Sequence, residues 1–542
     1  MSTPVANPAN VFPRTADIPE AMRQPYYADG ARYLIDGKVE AWTGPCQEVT
    51  SPLCVDDGAG PAPTKLGHYP LMTAEKAMEA LEAACEAYGR GCGEWPTMSV
   101  GDRIRHLESF IPRMQAVRDE VVRLLMWEIG KTLPDSRKEF DRTVDYIRDT
   151  IQALKELDRT SSRLAVEQGF IAQIRRSPLG VVLCMGPQNY PLNETFTTLI
   201  PALIMGNTVI FKPPKYGVLL HAPLLRAFAA SFPPGVVNTI YGEGATVVGP
   251  IVQSGRIDVL AFIGSAKVAS LLKHQHPRPN RLRCVFGLEA KNAAVVLPDA
   301  DLDLAMKECL LGALSFNGQR CTAIKIIFVH RSLADQFVAR LAEGVEALRV
   351  GMPWEDGVSI TPLAEKGKPQ WFKELADEAV AAGARLVNRG GGTIDHTLFY
   401  PAVLYPAALN TRICQIEQFG PVTPILPYDD EQEVIDWVKA SPFGQQASLF
   451  GSDPHRLSRL IDSLVNQVCR VNINSQCQRG PDTFPFVGRK DSAENTLSVS
   501  DALRVFSIRS LVAAKSTPAN QQVISTIVTG RHSKFLSTDF LF

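Results

Sequence analysis

The sequence has little net charge and no long hydrophobic run. Its 542 residues include 56 basic and 57 acidic side chains, a formal net charge of −1, which gives no electrostatic basis for binding nucleic acid. No apolar run is long enough to span a bilayer. The opening MSTPVANPANVFPR lacks the basic start and apolar core of a signal peptide. We therefore expect no nucleic-acid or membrane partner and a cytoplasmic location.

The sequence also lacks clustered cysteines. Its 11 cysteines are scattered, without a CxxC pair or a Cys/His cluster. This spacing argues against a disulfide framework and against a zinc site, and it suits a reducing compartment. We expect no metal site, and we expect most of the cysteines to be small buried hydrophobic residues.

Short β-rich runs alternate with helical segments from Gly180 onward. GVVLCMGP and NTVIFKPP flank the helical ETFTTLIPALIMG, and the same alternation restarts after about residue 295. This rhythm is typical of parallel βαβ units in a doubly wound sheet. Since the chain is too long for one ordinary core, we predict an α/β protein with a Rossmann-like domain and a second α/β domain.

Two segments fit neither predicted sheet. LAVEQGFIAQIRRSP (164–178) alternates like an exposed two-stranded ribbon, and the tail beyond Ser507 reads as short-stranded with an apolar end, STDFLF. Exposed ribbons and apolar tails commonly pair with another subunit, so we expect a homodimer or homotetramer. The predicted segments are an N-terminal arm and helical part (1–163), an oligomerisation ribbon (164–178), a Rossmann-like domain (179–290), a second α/β domain (291–506) and an oligomerisation tail (507–542).

The segment SFNGQRCTA places Arg320 directly before Cys321. A buried guanidinium needs several partners, whereas a guanidinium beside a thiol favours the thiolate, the reactive form of cysteine. Asn189 follows the first β-rich run, at the strand end where such sheets bind ligands. Its amide could stabilise an oxyanion, although a lone asparagine at a strand end is more often a turn former.

Two further patterns suggest phosphate or ribose contacts. Lys212 and Lys215 bracket Pro214 after the second β-rich run. Gly244 lies in YGEGATVVG, a glycine pattern that by itself is weak evidence for a phosphate loop.

Six motifs, in order, resemble the NAD(P)-dependent aldehyde dehydrogenase superfamily over roughly residues 30–515: PQNYP, FKPPK, FIGS, LEAKN, FNGQRC and EQFGPV. GQRCT, QRGPDTFPF and the DALRVFSIR tail are similar to its NADP-dependent non-phosphorylating glyceraldehyde-3-phosphate dehydrogenases. The resemblance implies the aldehyde dehydrogenase fold, with cofactor binding by 179–290 and catalysis by 291–506. It also implies thiolate attack on an aldehyde, hydride transfer to the nicotinamide and release of the acid by water.

The resemblance assigns roles to individual residues. Cys321 is implied as the nucleophile, and Asn189 and the Cys321 backbone N–H as the oxyanion hole. The implied cofactor-binding residues are Lys212, Pro214, Lys215, Gly244, Gly264, Ser265, Glu417 and Phe419. NAD-preferring relatives place a carboxylate where this chain has Lys215. Because a lysine can instead pair with a 2′-phosphate, we expect NADP rather than NAD.

The same resemblance implies a phosphate subsite formed by Arg142, Tyr190, Arg320 and Arg479. Three converging guanidiniums would be costly without a dianion between them. The expected reaction is therefore the irreversible oxidation of D-glyceraldehyde 3-phosphate, or a similar small phosphorylated aldehyde, without inorganic phosphate.

The sequence departs from the family pattern at the general base. Gly287 occupies the family's position, and the nearest glutamate is Glu289. Glu289 can serve from a reshaped loop, another carboxylate can activate water, or the base can be absent. A missing base would make the chain a CoA-acylating aldehyde dehydrogenase. A broader-specificity aldehyde dehydrogenase and a catalytically weak oligomeric binding protein are further alternatives.

Overall fold

The computed structural model describes residues 11–538. The first part contains two antiparallel hairpins followed by a run of helices. These elements are β1 (Arg32–Ile35), β2 (Lys38–Ala41), β3 (Cys46–Asp56), β4 (Pro61–Pro70), α1 (Ala74–Tyr88), α2 (Glu94–Thr97), α3 (Val100–Gln115), α4 (Arg118–Ile129) and α5 (Leu133–Ser161). Next come two ribbon strands, β5 (Ala165–Glu167) and β6 (Phe170–Pro178). Among the helices of the described range, none combines the length and apolar character needed to cross a membrane.

A six-stranded sheet forms the first α/β unit. Its consecutive elements are β7 (Val181–Met185), α6 (Asn193–Ile204), β8 (Thr208–Lys212), α7 (Leu225–Ser231), β9 (Val237–Thr239), α8 (Gly244–Val247), α9 (Gly249–Gln253), β10 (Val259–Ile263), α10 (Ala266–Gln275) and β11 (Arg283–Gly287). The five strands lie parallel in the order β11-β10-β7-β8-β9. The strand order reverses around β7, so this edge of the sheet has the switch point at which doubly wound folds bind ligands.

The second α/β unit is built on a seven-stranded sheet. Its elements are β12 (Asn292–Val296), α11 (Leu302–Leu314), β13 (Ile324–His330), α12 (Arg331–Glu346), β14 (Arg349–Val350), β15 (Val358–Ile360), α13 (Lys368–Ala381), β16 (Arg385–Leu386), β17 (Ile394–Asp395), β18 (Leu398–Phe399), β19 (Ala402–Tyr405), α14 (Arg412–Gln415), β20 (Val422–Tyr428), α15 (Glu431–Ala440), β21 (Phe443–Gly444), β22 (Gln446–Phe450), α16 (Pro454–Leu464), β23 (Arg470–Ile473), β24 (Arg489–Lys490), β25 (Ala493–Glu494) and α17 (Val499–Val505). The sheet order is β16-β19-β20-β13-β12-β22-β23, and only β16 among these strands pairs antiparallel. Both predicted α/β sheets are therefore present.

The two units share a segment of chain. β25 pairs antiparallel with β11 at the edge of the first sheet. Leu497, Val499 and Leu503, on and just before α17, pack in the core of the first unit. Part of the predicted 291–506 segment thus returns to the first sheet, and this return brings Arg479 and Leu497 to the cavity described below.

The ribbon has three strands rather than the two that the sequence pattern predicts. β26 (Ser507–Lys515) pairs with β6 along its whole length, from Ser507 opposite Pro178 to Lys515 opposite Phe170. Outward-facing apolar side chains remain exposed on all three strands: Val166, Phe170, Ile174, Ile508, Leu511 and Val512. Strand alternation places Phe170, Ile174 and Leu511 on one face and Val166, Ile508 and Val512 on the other. Exposed apolar side chains on a ribbon are typical of a surface that pairs with another subunit.

The tail differs from the prediction of short strands. After β26 it forms a 12-residue helix, α18 (Pro518–Thr529), and then returns to the ribbon. Arg175 donates to the Phe535 carbonyl at 3.0 Å, and Gln173 donates to the Ser537 carbonyl at 2.6 Å. The buried polar side chains of the ribbon thus find their acceptors in the tail of the same chain. The predicted apolar end, from Asp539 onward, lies outside the described residues.

Helix α6 is the central helix of the first unit. All 12 of its residues are buried, so it packs on every side. Its first turn is nevertheless polar, and buried polar groups need partners. Glu139 supplies one by accepting the backbone N–H groups of Leu192 and Asn193. Glu194, in the same turn, pairs with Arg479.

Candidate active site

One cavity lies between the carboxyl edge of the six-stranded sheet and the loop before β13. Of the 15 residues predicted to form the site, 13 line it. They are Arg142, Asn189, Tyr190, Pro214, Lys215, Gly264, Ser265, Glu289, Arg320, Cys321, Glu417, Phe419 and Arg479. Lys212 and Gly244 are not part of the lining, although Lys212 ends β8 three residues before Lys215.

A tight left-handed turn delivers Cys321 to this cavity. Phe316, Asn317 and Gly318 have φ values of 50°, 53° and 68°, a region that residues with a Cβ rarely adopt. Asn317 is held there because its side chain donates to the Thr361 carbonyl at 2.9 Å and accepts the Thr361 N–H at 3.0 Å. A Cβ at Gly318 would lie 2.7 Å from the Ala313 carbonyl oxygen, so only glycine fits.

The backbone around the thiol is held by a buried lysine. Lys325 Nζ donates to the carbonyls of Arg320 and Cys321, each at 2.8 Å, and pairs with Glu417 at 2.9 Å. Asn292 Nδ2 also donates to the Cys321 carbonyl, at 2.8 Å. Because its carbonyl accepts two hydrogen bonds, the Cys321 peptide has a fixed orientation.

Asn189 lies against the same turn. Its Nδ2 donates to the Gln319 carbonyl at 2.8 Å, two residues before Cys321. Its own carbonyl accepts a hydrogen bond from Lys131 Nζ at 2.8 Å. The buried Lys131 also pairs with Glu139 and lies 3.6 Å from the centre of the Tyr190 ring. The amide that sequence analysis assigned to oxyanion binding is thus fixed beside the nucleophile.

Arg320 precedes Cys321 in the sequence, but it is not one of the charges with the largest effect on the thiol. Its Nη2 donates to the Gly312 carbonyl at 2.8 Å, and its buried Nε has no partner within residues 11–538. Burial raises the pKa of the Cys321 thiol and Glu194 raises it further, whereas Lys325 and Arg479 lower it. The charges with the largest effect on the thiol are therefore those of residues distant in sequence.

The other two arginines are paired with carboxylates. Arg142 binds Asp482 through two nitrogens, at 2.7 and 2.6 Å. Arg479 pairs with Asp482 at 3.1 Å and with Glu194. The expectation that these guanidiniums need a dianion between them is therefore wrong, since internal carboxylates already neutralise part of their charge.

Tyr190 is well placed to donate a hydrogen bond. Its ring packs edge-on to Phe316 at 6.1 Å between centroids. Burial raises the pKa of its hydroxyl, and Arg320 and Arg142 lower it. The hydroxyl therefore remains protonated at neutral pH.

Glu289 lies on the cofactor side of the cavity. Its Oε2 accepts the N–H of Ala266, the first residue of α10, at 3.0 Å. Glu417 is a second carboxylate in the cavity lining, and its charge raises the pKa of the Cys321 thiol. Burial raises the pKa of Glu417 and Lys325 lowers it. Both carboxylates line the cavity, whereas Gly287 offers no side chain.

Sequence reasoning missed several residues that hold this site: Lys131, Glu194, Asn292, Lys325 and Asp482. Two of them carry a signal that the sequence does show. Lys325 interrupts the otherwise apolar strand β13, and Glu194 lies in an otherwise uncharged helix. A charged residue inside a buried element requires a partner, so each marks a buried ion pair.

Comparisons with known proteins find similar sequences and structures over most of the chain. The family model described as "Aldehyde dehydrogenase family" matches residues 60–510. The NADP-dependent glyceraldehyde-3-phosphate dehydrogenase of Streptococcus equinus is 33% identical over 462 residues, 84% of this chain and 93% of that protein. The Triticum aestivum protein of the same name is 28% identical over 514 residues, 93% of this chain and 97% of its own length.

A solved structure also resembles this chain. It is the NADP-dependent glyceraldehyde-3-phosphate dehydrogenase from Bacillus halodurans C-125 complexed with NADP. It superimposes with a TM-score of 0.82 at 31% identity, covering 90% of this chain and all of that one.

The ion pair between Lys325 and Glu417 predicts opposite effects of two substitutions on thiol reactivity. Lys325→Met removes a charge that lowers the Cys321 pKa, so the thiolate fraction falls at neutral pH. Glu417→Gln removes a charge that raises this pKa, so the thiolate fraction increases. We expect alkylation by iodoacetamide to be slower in Lys325→Met and faster in Glu417→Gln, each by roughly threefold to tenfold.

The measurement follows the Cys321 peptide by mass spectrometry in cofactor-free enzyme, with Cys321→Ala as the control for labelling elsewhere. Both variants break the same ion pair. A change in the same direction in both would therefore indicate general loosening of the site and contradict the electrostatic account.

Proposed function

The chain belongs to the aldehyde dehydrogenase family, and we propose that it oxidises a small phosphorylated aldehyde, D-glyceraldehyde 3-phosphate in the first instance, with NADP. One observation carries the proposal: a nucleophilic cysteine, an amide donor and three arginines meet in a single cavity. The names of the similar proteins from Streptococcus equinus and Triticum aestivum support the same reaction. Through its exposed ribbon face, the chain is further proposed to form a homo-oligomer.

Cys321 supplies the nucleophile in this reaction. Its thiolate adds to the aldehyde carbon as the C=O π bond opens, and Asn189 with the Cys321 backbone N–H stabilises the resulting oxyanion. NADP, when bound, would supply the hydride acceptor, and loss of the hydride from that carbon would leave a thioester on Cys321. Water then attacks the thioester, a carboxylate takes the water proton, and Cys321 leaves as the thiolate while the carboxylic acid is released.

Two lysines at the rim fit the 2′-phosphate of NADP. Lys215 is exposed and has no ion pair in the described part of the chain. Burial lowers the pKa of Lys212, Glu243 raises it, and the charge of Lys215 lowers it. The two ammonium groups therefore repel each other, and a phosphate between them would relieve this repulsion. Gly264, Ser265 and Phe419 are the lining residues that would hold the rest of the cofactor.

The inner end of the cavity retains a positive charge for a substrate phosphate. Four cations, Arg142, Arg320, Arg479 and Lys131, face three carboxylates, Asp482, Glu194 and Glu139, which leaves one net positive charge. The Tyr190 hydroxyl adds a neutral donor. These groups are the proposed phosphate subsite.

Glu289 is the proposed base for hydrolysis of the thioester. It lines the cavity, and its Oε2 is engaged by the Ala266 N–H. This same observation, with Gly287 at the family's base position, favours a second candidate function. In a CoA-acylating aldehyde dehydrogenase a thiol takes the acyl group from Cys321, and no base for water is needed.

Formation of NADPH from D-glyceraldehyde 3-phosphate, without inorganic phosphate or CoA, tests the proposal. We expect steady turnover, because water completes the reaction, and no turnover by Cys321→Ala. A single burst that becomes steady only when CoA is added would replace the proposed reaction with the acylating one. No NADPH in either condition would overturn both.

The role of Glu289 predicts a separation of two kinetic phases. In Glu289→Gln the first turnover should persist while the steady rate falls by about a hundredfold, a loss within the usual range for removing a general base. Rapid-mixing measurements of NADPH resolve the two phases, with Glu417→Gln as the matched carboxylate variant. A retained steady rate in Glu289→Gln, together with its loss in Glu417→Gln, would assign the base to Glu417.

Lys215→Glu tests the assignment of the cofactor. A carboxylate there repels the 2′-phosphate of NADP and accepts hydrogen bonds from the ribose hydroxyls of NAD, so the ratio of kcat/KM for NADP to that for NAD should fall by about tenfold or more. Lys215→Gln, which removes the charge without adding a carboxylate, should give an intermediate ratio. An unchanged ratio in Lys215→Glu would contradict the assignment.

A further inference from the structure

A carboxylate lies inside the proposed phosphate subsite. Glu194 is the second residue of α6, is only 7% exposed and lines the cavity. Its side chain pairs with Arg479, which lies 285 positions further along the chain and is only 6% exposed. A charge at this depth is not a solvated helix end, because both members of the pair are removed from water.

Every nitrogen of the Arg479 guanidinium already has an acceptor. Nη1 donates to Glu194, Nε donates to Asp482 at 3.1 Å, and Nη2 donates to the Leu497 carbonyl at 3.3 Å. The guanidinium carbon also lies 4.5 Å from the centre of the Phe486 ring. Three of the five N–H groups of Arg479 are therefore engaged, and the Glu194 pair both occupies one of them and neutralises part of the guanidinium charge.

Arg320 is in a different state. It has no carboxylate partner within residues 11–538, and its buried Nε makes no hydrogen bond there. Of the three cavity arginines, Arg320 has the greatest unsatisfied capacity for an anion. Arg142 is intermediate, since Asp482 accepts from two of its nitrogens while its side chain is 28% exposed.

We propose that Glu194 is a specificity-determining residue that competes with the substrate phosphate for Arg479. Arg320 makes the first contact with the phosphate, and Arg479 contributes fully only when Glu194 no longer holds it and neutralises its charge. Glu194 thereby weakens the binding of phosphorylated aldehydes relative to unphosphorylated ones. This inference rests on the proposed function, since it concerns the substrate of the same site.

Glu194 has a second effect that the test must separate from the first. Its charge also raises the pKa of the Cys321 thiol. Neutralising it therefore increases the thiolate fraction for every aldehyde, with or without a phosphate. The ratio of the two substrates' kcat/KM values cancels this common effect and isolates the competition for Arg479.

The experiment compares wild-type enzyme and Glu194→Gln with D-glyceraldehyde 3-phosphate and with D-glyceraldehyde, using NADP. We expect the phosphorylated-to-unphosphorylated ratio of kcat/KM to rise on the order of tenfold, mainly through a lower KM for the phosphorylated substrate. Glu365→Gln is the matched control, since it removes another carboxylate of the cavity lining, hydrogen-bonded to Gln188 rather than to an arginine. Its ratio should stay close to that of the wild type.

Inhibition by inorganic sulfate provides an independent measurement, with D-glyceraldehyde as substrate. Sulfate should inhibit Glu194→Gln more strongly than the wild type, and Glu194→Met, which suits the apolar character of α6, should behave in the same way if the glutamine variant folds poorly. An unchanged ratio and unchanged sulfate inhibition would overturn the role of Glu194.

The outcomes distinguish this inference from the proposed function. Wild-type oxidation of D-glyceraldehyde 3-phosphate with an unaltered ratio in Glu194→Gln would retain the proposed function and overturn the inference. If only Glu194→Gln oxidises the phosphorylated substrate, the competition is supported and the proposed substrate of the wild type is wrong. If neither does, while D-glyceraldehyde is oxidised, both fail.

Discussion

The buried ammonium of Lys325 is the constraint on which the rest of the site depends. It binds the carbonyls of Arg320 and Cys321 and the carboxylate of Glu417. A single group therefore orients the peptide of the proposed nucleophile and links it to Glu417, on the proposed nicotinamide side of the cavity. Removing one partner of such a buried pair typically costs about 3–5 kcal/mol, because the other charge remains unpaired. The left-handed turn at residues 316–318 is a second constraint, because it fixes where Cys321 enters the cavity.

Charge balance governs the substrate end of the cavity. Asp482 and Glu194 neutralise much of the charge of Arg142 and Arg479 before any substrate arrives. Such internal pairing allows three guanidiniums to converge in a folded protein without a bound anion. Under the proposed function, a substrate phosphate would compete with groups of the protein, and its affinity would depend on the carboxylates as well as on the arginines. The thiol is subject to the same balance, because Glu194 and Arg479 act on its pKa in opposite directions.

The sequence allowed prediction of the two sheets and the position of the site, because strand alternation and strand-end motifs are local patterns. Asn189 and Cys321 were found in this way, and the structure brings them to one turn. The hydrogen bonds of Arg320 to the Leu311 and Gly312 carbonyls were not predictable, since they follow a turn with three consecutive positive φ values that no residue-pair argument reveals. The pairing of Arg479 with Glu194 was missed because those residues are 285 positions apart. The return of the tail to Gln173 and Arg175 was missed for the same reason, since the partners lie more than 350 positions apart. Helix α18 does have a local signal, the Thr517 cap before Pro518, which the prediction of short strands overlooked.

Covalent trapping tests the central claim most directly. Enzyme mixed with D-glyceraldehyde 3-phosphate and NADP is quenched with acid within the first turnover, digested and analysed by mass spectrometry. The account predicts a 3-phosphoglyceryl thioester on the peptide that contains Cys321, and none on the peptides of the other ten cysteines. An adduct on a different cysteine, or NADPH formation by Cys321→Ala, would contradict it.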